Sequence, residues 1–384
     1  MNQPRSETKC ILSLLNTKSM MSFLRCLLLL LLLVQSAAAQ FAQLPDQYRS
    51  AADSARGLIT QTWQEQKFPG MAVAVAVNRQ LIWSDAVGFS DLEQRVPMWP
   101  HSRFRIASIS KPLTAAAAAK LYSQAKLDAD ASIQEYVPNF PSKRWTITTR
   151  QLGAHLGGIR GYRPGKMLSA VSYSTVEDGL DIFSADTLLH EPGTKYLYSS
   201  YGWNLISAVI EGAAGEPFLD YMQREIFLPF NMLDTVADHP DSLIAHRVRF
   251  YVRTQDGTLL NAPYVDNSYK WAGGGFLSTP IDIVRFGIAH LDSSFFEQKA
   301  KELLFTEQRT SAGEPTGYAF GWRVETRSDN LRYFSHSGGA IGGTSLLVIQ
   351  PDTGVVVAAM VNMSSANLDV VQQIVSLFVE HSRN

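Results

Sequence analysis

Hydrophobic positions near the start of the chain repeat first with a helical period and then with a strand period. Residues 46–66 carry apolar side chains at helical spacing, which predicts an amphipathic helix. Residues 71–77 and 80–87 are short apolar runs on either side of Asn78-Arg79. Two such runs joined by two turn residues predict a β-hairpin.

The pattern changes twice more towards the carboxyl end. From residue 108 to about residue 290 it is mostly helical and is interrupted by Pro and Gly loops, beginning with the alanine-rich residues 114–122. A closing amphipathic helix is predicted over residues 366–382. Four strand-like segments lie between them: residues 318–325, 332–336, 344–350 and 355–362.

Strands at both ends with helices between them predict an α/β (α+β) fold. We expect one antiparallel sheet, formed from both chain ends and flanked by helices, with an inserted and mostly helical lobe. The sheet lobe would comprise about residues 40–107 and 310–384, and the helical lobe about residues 108–309. A cleft between two such lobes is the usual location of a functional site.

The first 39 residues have the three-part pattern of a secretory signal peptide. Arg25 precedes an apolar run over residues 27–34, and small residues follow at 36–39. The run is about half of the roughly 20 residues that a membrane-spanning helix needs, so we expect cleavage and no permanent membrane anchor. The protein is therefore predicted to be exported, periplasmic or secreted; a mitochondrial transit peptide is the alternative.

Composition narrows the function classes. The net charge is −1, and removal of the leader would take away four basic residues and one acidic residue and leave −4. Such a chain lacks the basic surface of a nucleic-acid-binding protein. Both cysteines, Cys10 and Cys26, lie in the leader, and the eight histidines have no short metal-ligand spacing. We therefore expect no nucleic-acid partner, no metal and no cofactor.

Ser108 and Lys111 are the first candidates for chemistry. They are three residues apart at the start of a predicted helix, so their side chains share one face. A serine hydroxyl is a good nucleophile only when a neighbouring base takes its proton, and a lysine is such a base when burial keeps it neutral. The spacing is also compatible with a capping serine followed by a solvated lysine.

Two further segments follow this pair in the chain, Tyr198-Ser199-Ser200 and His336-Ser337-Gly338-Gly339. With Ser108-x-x-Lys111 they resemble, in order, the three active-site motifs of the serine beta-lactamase and penicillin-binding-protein family. The similarity is closest to the class C type and to the beta-lactamase-like serine proteases, and similar stretches span about residues 68–345. The chain has no Glu-x-x-Leu-Asn stretch, which is typical of the class A beta-lactamases, so it does not resemble that class.

The resemblance implies a role for each residue. Ser108 would be the nucleophile, with Lys111 and Tyr198 moving protons. Substrate binding would fall to Ser200 and to the strand of His336, Ser337, Gly338 and Gly339, and the N–H groups of Ser108 and Gly339 would form the oxyanion hole.

The chain departs from the family at two of these positions. Ser200 replaces an asparagine, so the carboxamide that holds the substrate amide is lost. His336 replaces a lysine and should be mostly neutral at pH 7. His155, in a Gly-rich loop, is interpreted as a structural residue that supports the cleft.

The function predicted from the sequence is that of a serine hydrolase that cleaves amide, peptide or ester bonds through an acyl-serine intermediate. A beta-lactamase-like peptidase acting on small peptides, amides or esters is the first interpretation. The alternatives are an esterase, a weak beta-lactamase or D-Ala-D-Ala-type carboxypeptidase, and a non-catalytic protein that binds cell-wall peptides.

Overall fold

Strands from both ends of the chain meet in one sheet in the computed structural model, which describes residues 44–383. The predicted signal peptide, with Cys10 and Cys26, lies outside the described residues. The strands are β1 Gly70–Val77, β2 Gln80–Asp91, β3 Val96–Pro97, β4 Phe104–Arg105, β5 Val236–Ala237, β6 Tyr251–Arg253, β7 Leu259–Asn261, β8 Phe276–Ser278, β9 Arg323–Thr326, β10 Arg332–Ala340, β11 Gly343–Gln350 and β12 Val355–Val361.

Helices precede, follow and interrupt these strands. They are α1 Asp46–Gln66, α2 Ser110–Ser123, α3 Thr149–Gly153, α4 Val176–Leu180, α5 Ser200–Ala214, α6 Phe218–Met222, α7 Trp271–Gly274, α8 Pro280–Leu291, α9 Gln298–Phe305 and α10 Val370–Arg383. None of the helices in the described part of the chain combines the length and the apolar character needed to cross a membrane.

The main sheet has seven strands in the order β3-β2-β1-β12-β11-β10-β9, and every pairing is antiparallel. The first and last thirds of the chain join where β1 pairs with β12. The predicted hairpin is present, and Asn78 and Arg79 both have positive φ, 49° and 67°, as a two-residue hairpin turn of type I′ requires. The predicted fold class is thus confirmed.

The two faces of the sheet bury different helices. On β1, the valines Val73 and Val75 face α1 and α10, whereas Ala72 and Ala74 belong to the larger core with α2, α5 and α8. Because both faces are covered, β1 and β12 are buried along their whole length and read as unbroken apolar runs. The chain from Leu44 onward forms one compact unit, and the boundaries of the two predicted lobes stay predictions.

The predicted strand over residues 318–325 is wrong in its first half. Only Arg323–Thr326 pairs as β9, while residues 318–322 form a turn in which the Ala319 N–H donates to the Trp322 carbonyl and Gly321 has φ of 84°. Tyr318 and Trp322 are buried in this turn. The apolar run thus marks residues that fill the core and not a regular strand.

Candidate active site

Ser108 lies in a single 3₁₀ turn, Ala107–Ile109, that leads directly into α2. Ala107 has φ of 48°, a left-handed conformation that costs a residue with a Cβ about 1 kcal/mol or more. The hydroxyl of Ser345 on β11 donates to the Ile106 carbonyl over 2.7 Å and ties this turn to the sheet. The strained turn is therefore held from outside the helix that it begins.

Lys111 is completely buried, and its amine joins three segments of the chain. Its Nζ is 3.0 Å from Ser108 Oγ, 3.1 Å from Ser200 Oγ and 2.6 Å from the carbonyl oxygen of Gly273. The predicted pair of Ser108 and Lys111 is thus in hydrogen-bond contact. The Gly273 carbonyl can only accept, so it fixes one N–H of the amine in every protonation state.

Burial lowers the pKa of Lys111 from 10.5 to about 7, since no carboxylate in the described part of the chain offsets the loss of solvation. A neutral amine has two N–H groups and one lone pair. With Gly273 and Ser200 accepting the two N–H groups, the lone pair is left for the O–H of Ser108. Near neutral pH the arrangement can therefore take the proton of the serine.

Tyr198 lies at the mouth of the same cluster, with its side chain 36% exposed. Its ring centroid is 4.9 Å from Lys111 Nζ. Burial raises the pKa of Tyr198, while the nearby Ser108 and Ser200 hydroxyls lower it by a smaller amount. Tyr198 is thus a phenol at neutral pH, which can donate a proton or a hydrogen bond but is a poor first base.

Ser200 begins α5, and the hydroxyl of Ser199 caps that helix by accepting the N–H of Gly202. The Ser200 hydroxyl contacts Lys111 and lies close to the hydroxyl of Tyr162. Ser200 is 92% buried, and its short side chain accepts a hydrogen bond from the Lys111 amine. The predicted loss of a carboxamide here leaves the cleft without that amide contact.

His155 packs beneath Tyr198, with ring centroids 4.2 Å apart. Its Nδ1 accepts the N–H of Ser199 over 3.1 Å, so the ring proton is on Nε2. Burial, and then the positive charge of Lys111, lowers the pKa of His155 well below its usual range. This neutral, buried ring fits the structural interpretation, because it supports the loop that carries Tyr198.

His336 lies on β10 and is 2% exposed. Its Nδ1 donates to the Ser337 carbonyl over 2.7 Å, and its Nε2 accepts from the Tyr318 hydroxyl over 2.8 Å. Burial, followed by the charge of Lys111, lowers the pKa of His336 to about 3. The histidine is therefore neutral near pH 7.

The rest of this segment runs past the nucleophile. Gly338 is pressed against the Ser108 turn, since a Cβ there would be 2.3 Å from the Ile106 carbonyl oxygen. Ser337 and Gly339 point the other way, to the exposed side, and nothing lies within 4 Å of a Cβ at Gly339. Glycine at 338 therefore lets the strand approach the nucleophile closely.

Sequence reasoning missed three features of the site. No sequence motif predicts the roles of the Gly273 carbonyl, the Tyr318 hydroxyl or the left-handed conformation of Ala107. A glycine-rich run at residues 273–275 was the one available signal for Gly273. Among residues 44–383, no group of three or more His, Cys, Asp or Glu side chains is suited to hold a metal ion.

Comparisons with known proteins identify the family of the chain. The family model described as Beta-lactamase matches residues 55–375. The chain is 32% identical to human serine beta-lactamase-like protein LACTB, mitochondrial, over 84% of this chain and 78% of that protein. The D-amino acid amidase of Ochrobactrum anthropi shares the fold with a TM-score of 0.73 at 21% identity, covering 86% of this chain and 99% of the amidase.

A third similar structure, EstCE1, is described as a hydrolase with promiscuous acyltransferase activity. It has a TM-score of 0.72 at 21% identity and covers 88% of this chain and 99% of its own. At 21% identity, these two structures support the fold assignment only. Since the family model covers most of the chain and LACTB is 32% identical over most of both proteins, this chain belongs to the beta-lactamase family of serine hydrolases.

Proposed function

We propose that this enzyme hydrolyses small peptides or amides through an acyl intermediate on Ser108. The observation that carries the proposal is the Lys111 amine, fully buried and 3.0 Å from Ser108 Oγ. Its lowered pKa, about 7, makes a substantial fraction of it neutral at physiological pH. Neutral lysine is the base that a serine nucleophile needs in the absence of a histidine partner.

The reaction then proceeds in two steps. Ser108 Oγ attacks the carbonyl carbon while its proton moves to Lys111 Nζ, and the negative charge develops on the carbonyl oxygen. Backbone N–H groups of Ser108 and Gly339 are the proposed donors to this oxyanion, and one such donor typically contributes about 3 kcal/mol. Lys111 returns this proton through the Tyr198 hydroxyl to the leaving nitrogen, and the C–N bond breaks. Water then attacks the ester carbonyl and gives a proton to Lys111, which passes it to Ser108 Oγ as the C–O bond to the serine breaks and the acid is released.

A peptide substrate is supported by the edge of β10. Strand β9 pairs with only the first part of β10, residues Arg332–Ser335. In the described part of the chain, the segment from His336 to Ala340 therefore has one edge free of strand pairing, beside Ser108. An extended peptide can bind such an edge through main-chain hydrogen bonds. The names of LACTB and of the D-amino acid amidase also favour amide chemistry, whereas that of EstCE1 keeps an esterase as the alternative.

Kinetics on three substrates test the proposal. The values of kcat/KM for a p-nitroanilide peptide, a p-nitrophenyl ester and nitrocefin are compared in one preparation. Hydrolysis of the anilide well above the Ser108→Ala background supports a peptidase. Turnover of the ester alone supports the esterase or a related hydrolase, and no turnover of any substrate supports the binding protein.

We expect nitrocefin to be a poor substrate because His336 is neutral. In the family a lysine at this position helps to hold the ring carboxylate of a beta-lactam, and losing such a charge-assisted bond costs about 1.5 to 3 kcal/mol, or about ten- to more than a hundredfold. His336→Lys should recover part of this factor in kcat/KM for nitrocefin. His336→Gln, which stays neutral, is the control and should recover none.

Efficient nitrocefin hydrolysis by the wild-type enzyme, with no gain from His336→Lys, would contradict this account of His336.

We further propose that residues 1–39 direct export. The basic flank, the apolar run over residues 27–34 and the small residues at 36–39 support secretion. The printed name of LACTB gives a mitochondrial location for that relative. N-terminal sequencing of the mature protein should begin at Gln40; an intact leader, or cleavage far from Ala39, would contradict the proposal.

A further inference from the structure

An open cavity lined by arginines lies apart from the catalytic cluster. It has a volume of about 320 Å³. Its wall, as far as the structure describes it, includes Arg105, Arg247 and Arg249 but no acidic residue, and none of the residues assigned to the reaction lines it. The cavity is therefore a second place at which a small ligand can reach this enzyme.

This cavity adjoins the turn that joins β10 and β11. Arg105 Nη1 donates to the carbonyl of Ile341 in that turn over 2.8 Å. Phe250, on the cavity wall, lies against the same turn, since a Cβ at Gly342 would be 2.3 Å from the Phe250 Cβ. Arg105 also ends β4, three residues before Ser108. The cavity thus borders both segments that flank the nucleophile.

Arg105 supplies the most deeply buried charge of the cavity. Its side chain is 7% exposed, and its guanidinium carbon is 4.0 Å from the centroid of the Phe250 ring. Nε donates to Asp238 Oδ2 over 2.7 Å, and Nη1 binds the turn carbonyl. Nη2 donates to no oxygen among residues 44–383, and it is not enclosed by protein. A buried guanidinium therefore keeps one donor open to solvent at the cavity.

Arg247 and Arg249, two residues apart in the chain, contribute the other guanidinium groups. Arg247 donates to three backbone carbonyls within residues 239–242, which hold its side chain in place without neutralising its charge. Arg249, with its side chain 43% exposed, donates from Nε to Asn261 and pairs through Nη2 with Glu93. Its Nη1 has no acceptor in the described part of the chain, so a second donor is free.

The neighbouring carboxylates do not balance these charges. Asp238 is shared, because it accepts from Arg105 and also lies 3.9 Å from Arg247 Nη1. The third arginine has the half-exposed Glu93. The buried Lys270 is a further cation nearby: burial first, and then the charge of Arg105, lowers its pKa to about 7, although Asp238 raises it. An anion in the cavity would offset the remaining positive charge.

A phosphate group matches this arrangement better than a carboxylate does. A guanidinium can donate in a fork to either group. A phosphate monoester has three terminal oxygens and about 1.5 to 2 negative charges at pH 7, so it can accept from three arginines at once, whereas a carboxylate has two oxygens and one charge. We infer that the cavity binds a phosphate group, either inorganic phosphate or a small phosphate monoester. The rings of Tyr264 and Phe250 on the cavity wall would contact the organic part of a monoester.

Calorimetric titration of the wild-type enzyme at constant ionic strength tests the inference with three probes: inorganic phosphate, phenyl phosphate and benzoate. We expect saturable binding of at least one phosphate, and phenyl phosphate should bind at least about tenfold more tightly than benzoate. Equal affinity for the two phosphates identifies the bare anion as the ligand. A higher affinity for phenyl phosphate identifies a monoester.

Arginine variants locate the binding. Arg249→Gln should weaken binding of the preferred phosphate by about ten- to a hundredfold, and Arg247→Gln should do the same. Arg56→Gln, which removes an exposed arginine paired with Asp85 on the far helix α1, is the matched control and should keep the wild-type affinity. Hydrolysis by Arg249→Gln should stay within about threefold of wild type, because this residue lies outside the reacting cluster.

Three results would overturn the inference. They are the lack of saturable binding of either phosphate by the wild-type enzyme, binding of benzoate as tight as that of phenyl phosphate, and an unchanged affinity in both Arg249→Gln and Arg247→Gln. The first two need no variant, so they decide the matter even if one variant does not fold. None of them bears on the proposed hydrolysis at Ser108, which is measured separately.

Discussion

Ser108→Ala should lose turnover by on the order of a millionfold while the protein remains folded, because the nucleophile is one member of a site whose groups act together. The side chain is small and partly exposed, so its removal leaves little cavity. The measurement is kcat/KM on the p-nitroanilide peptide, together with the melting temperature of both proteins.

Ser110→Ala is a matched control for this result. Ser110 is buried two residues further along, at the start of α2, and its hydroxyl has no hydrogen-bond partner among the described residues. Its removal should change kcat/KM by less than about threefold, as is usual for a side chain outside the reacting cluster. Retention of more than a few per cent of the activity by Ser108→Ala, with an unchanged melting temperature, would contradict the nucleophile assignment.

Lys111→Met should lower kcat/KM by at least about a thousandfold, since the serine then has no neighbouring base. Methionine fills a similar volume and removes the burial of an amine, so we expect no decrease in melting temperature. Lys111→Arg should also be inactive because a guanidinium stays protonated. Full activity in either variant would show that another group takes the proton of Ser108.

The pH profile follows from the same group. The base is active only when deprotonated, and the pKa of Lys111 is about 7. The kcat/KM for an uncharged substrate should therefore fall about tenfold for each pH unit below 7 and level off above it. Burial also lowers the pKa of Lys270 to about 7, so the profile is repeated in Lys270→Met, where the acid limb should persist. Its disappearance there would assign the limb to Lys270.

The fold and part of the site could be predicted from the sequence, each for its own physical reason. Alternating and continuous apolar runs mark strands, and Asn78-Arg79 marks the turn between two of them. Ser108 lies in the turn that leads directly into the helix of Lys111, so local geometry alone brings them together. Such features depend on residues that are close in the chain.

The remaining features depend on contacts between distant residues. Gly273 is 162 positions from Lys111, and it contributes a backbone oxygen that any residue has. The prediction of a strand over residues 318–325 was wrong in its first half. The large side chains of Tyr318 and Trp322 are buried in a turn, and the sequence pattern does not distinguish such a turn from a buried strand.

The central claim is that Ser108 attacks an acyl group with Lys111 as its base, and covalent labelling tests it most directly. A fluorophosphonate reacts when the serine oxygen bonds to phosphorus and fluoride leaves, so mass spectrometry of the digested protein identifies the modified residue. We predict one adduct, on Ser108, formed more slowly as the pH falls below 7 and absent from Ser108→Ala and Lys111→Met. No adduct under conditions that label a known serine hydrolase, or an adduct on Ser200 in place of Ser108, would contradict the account.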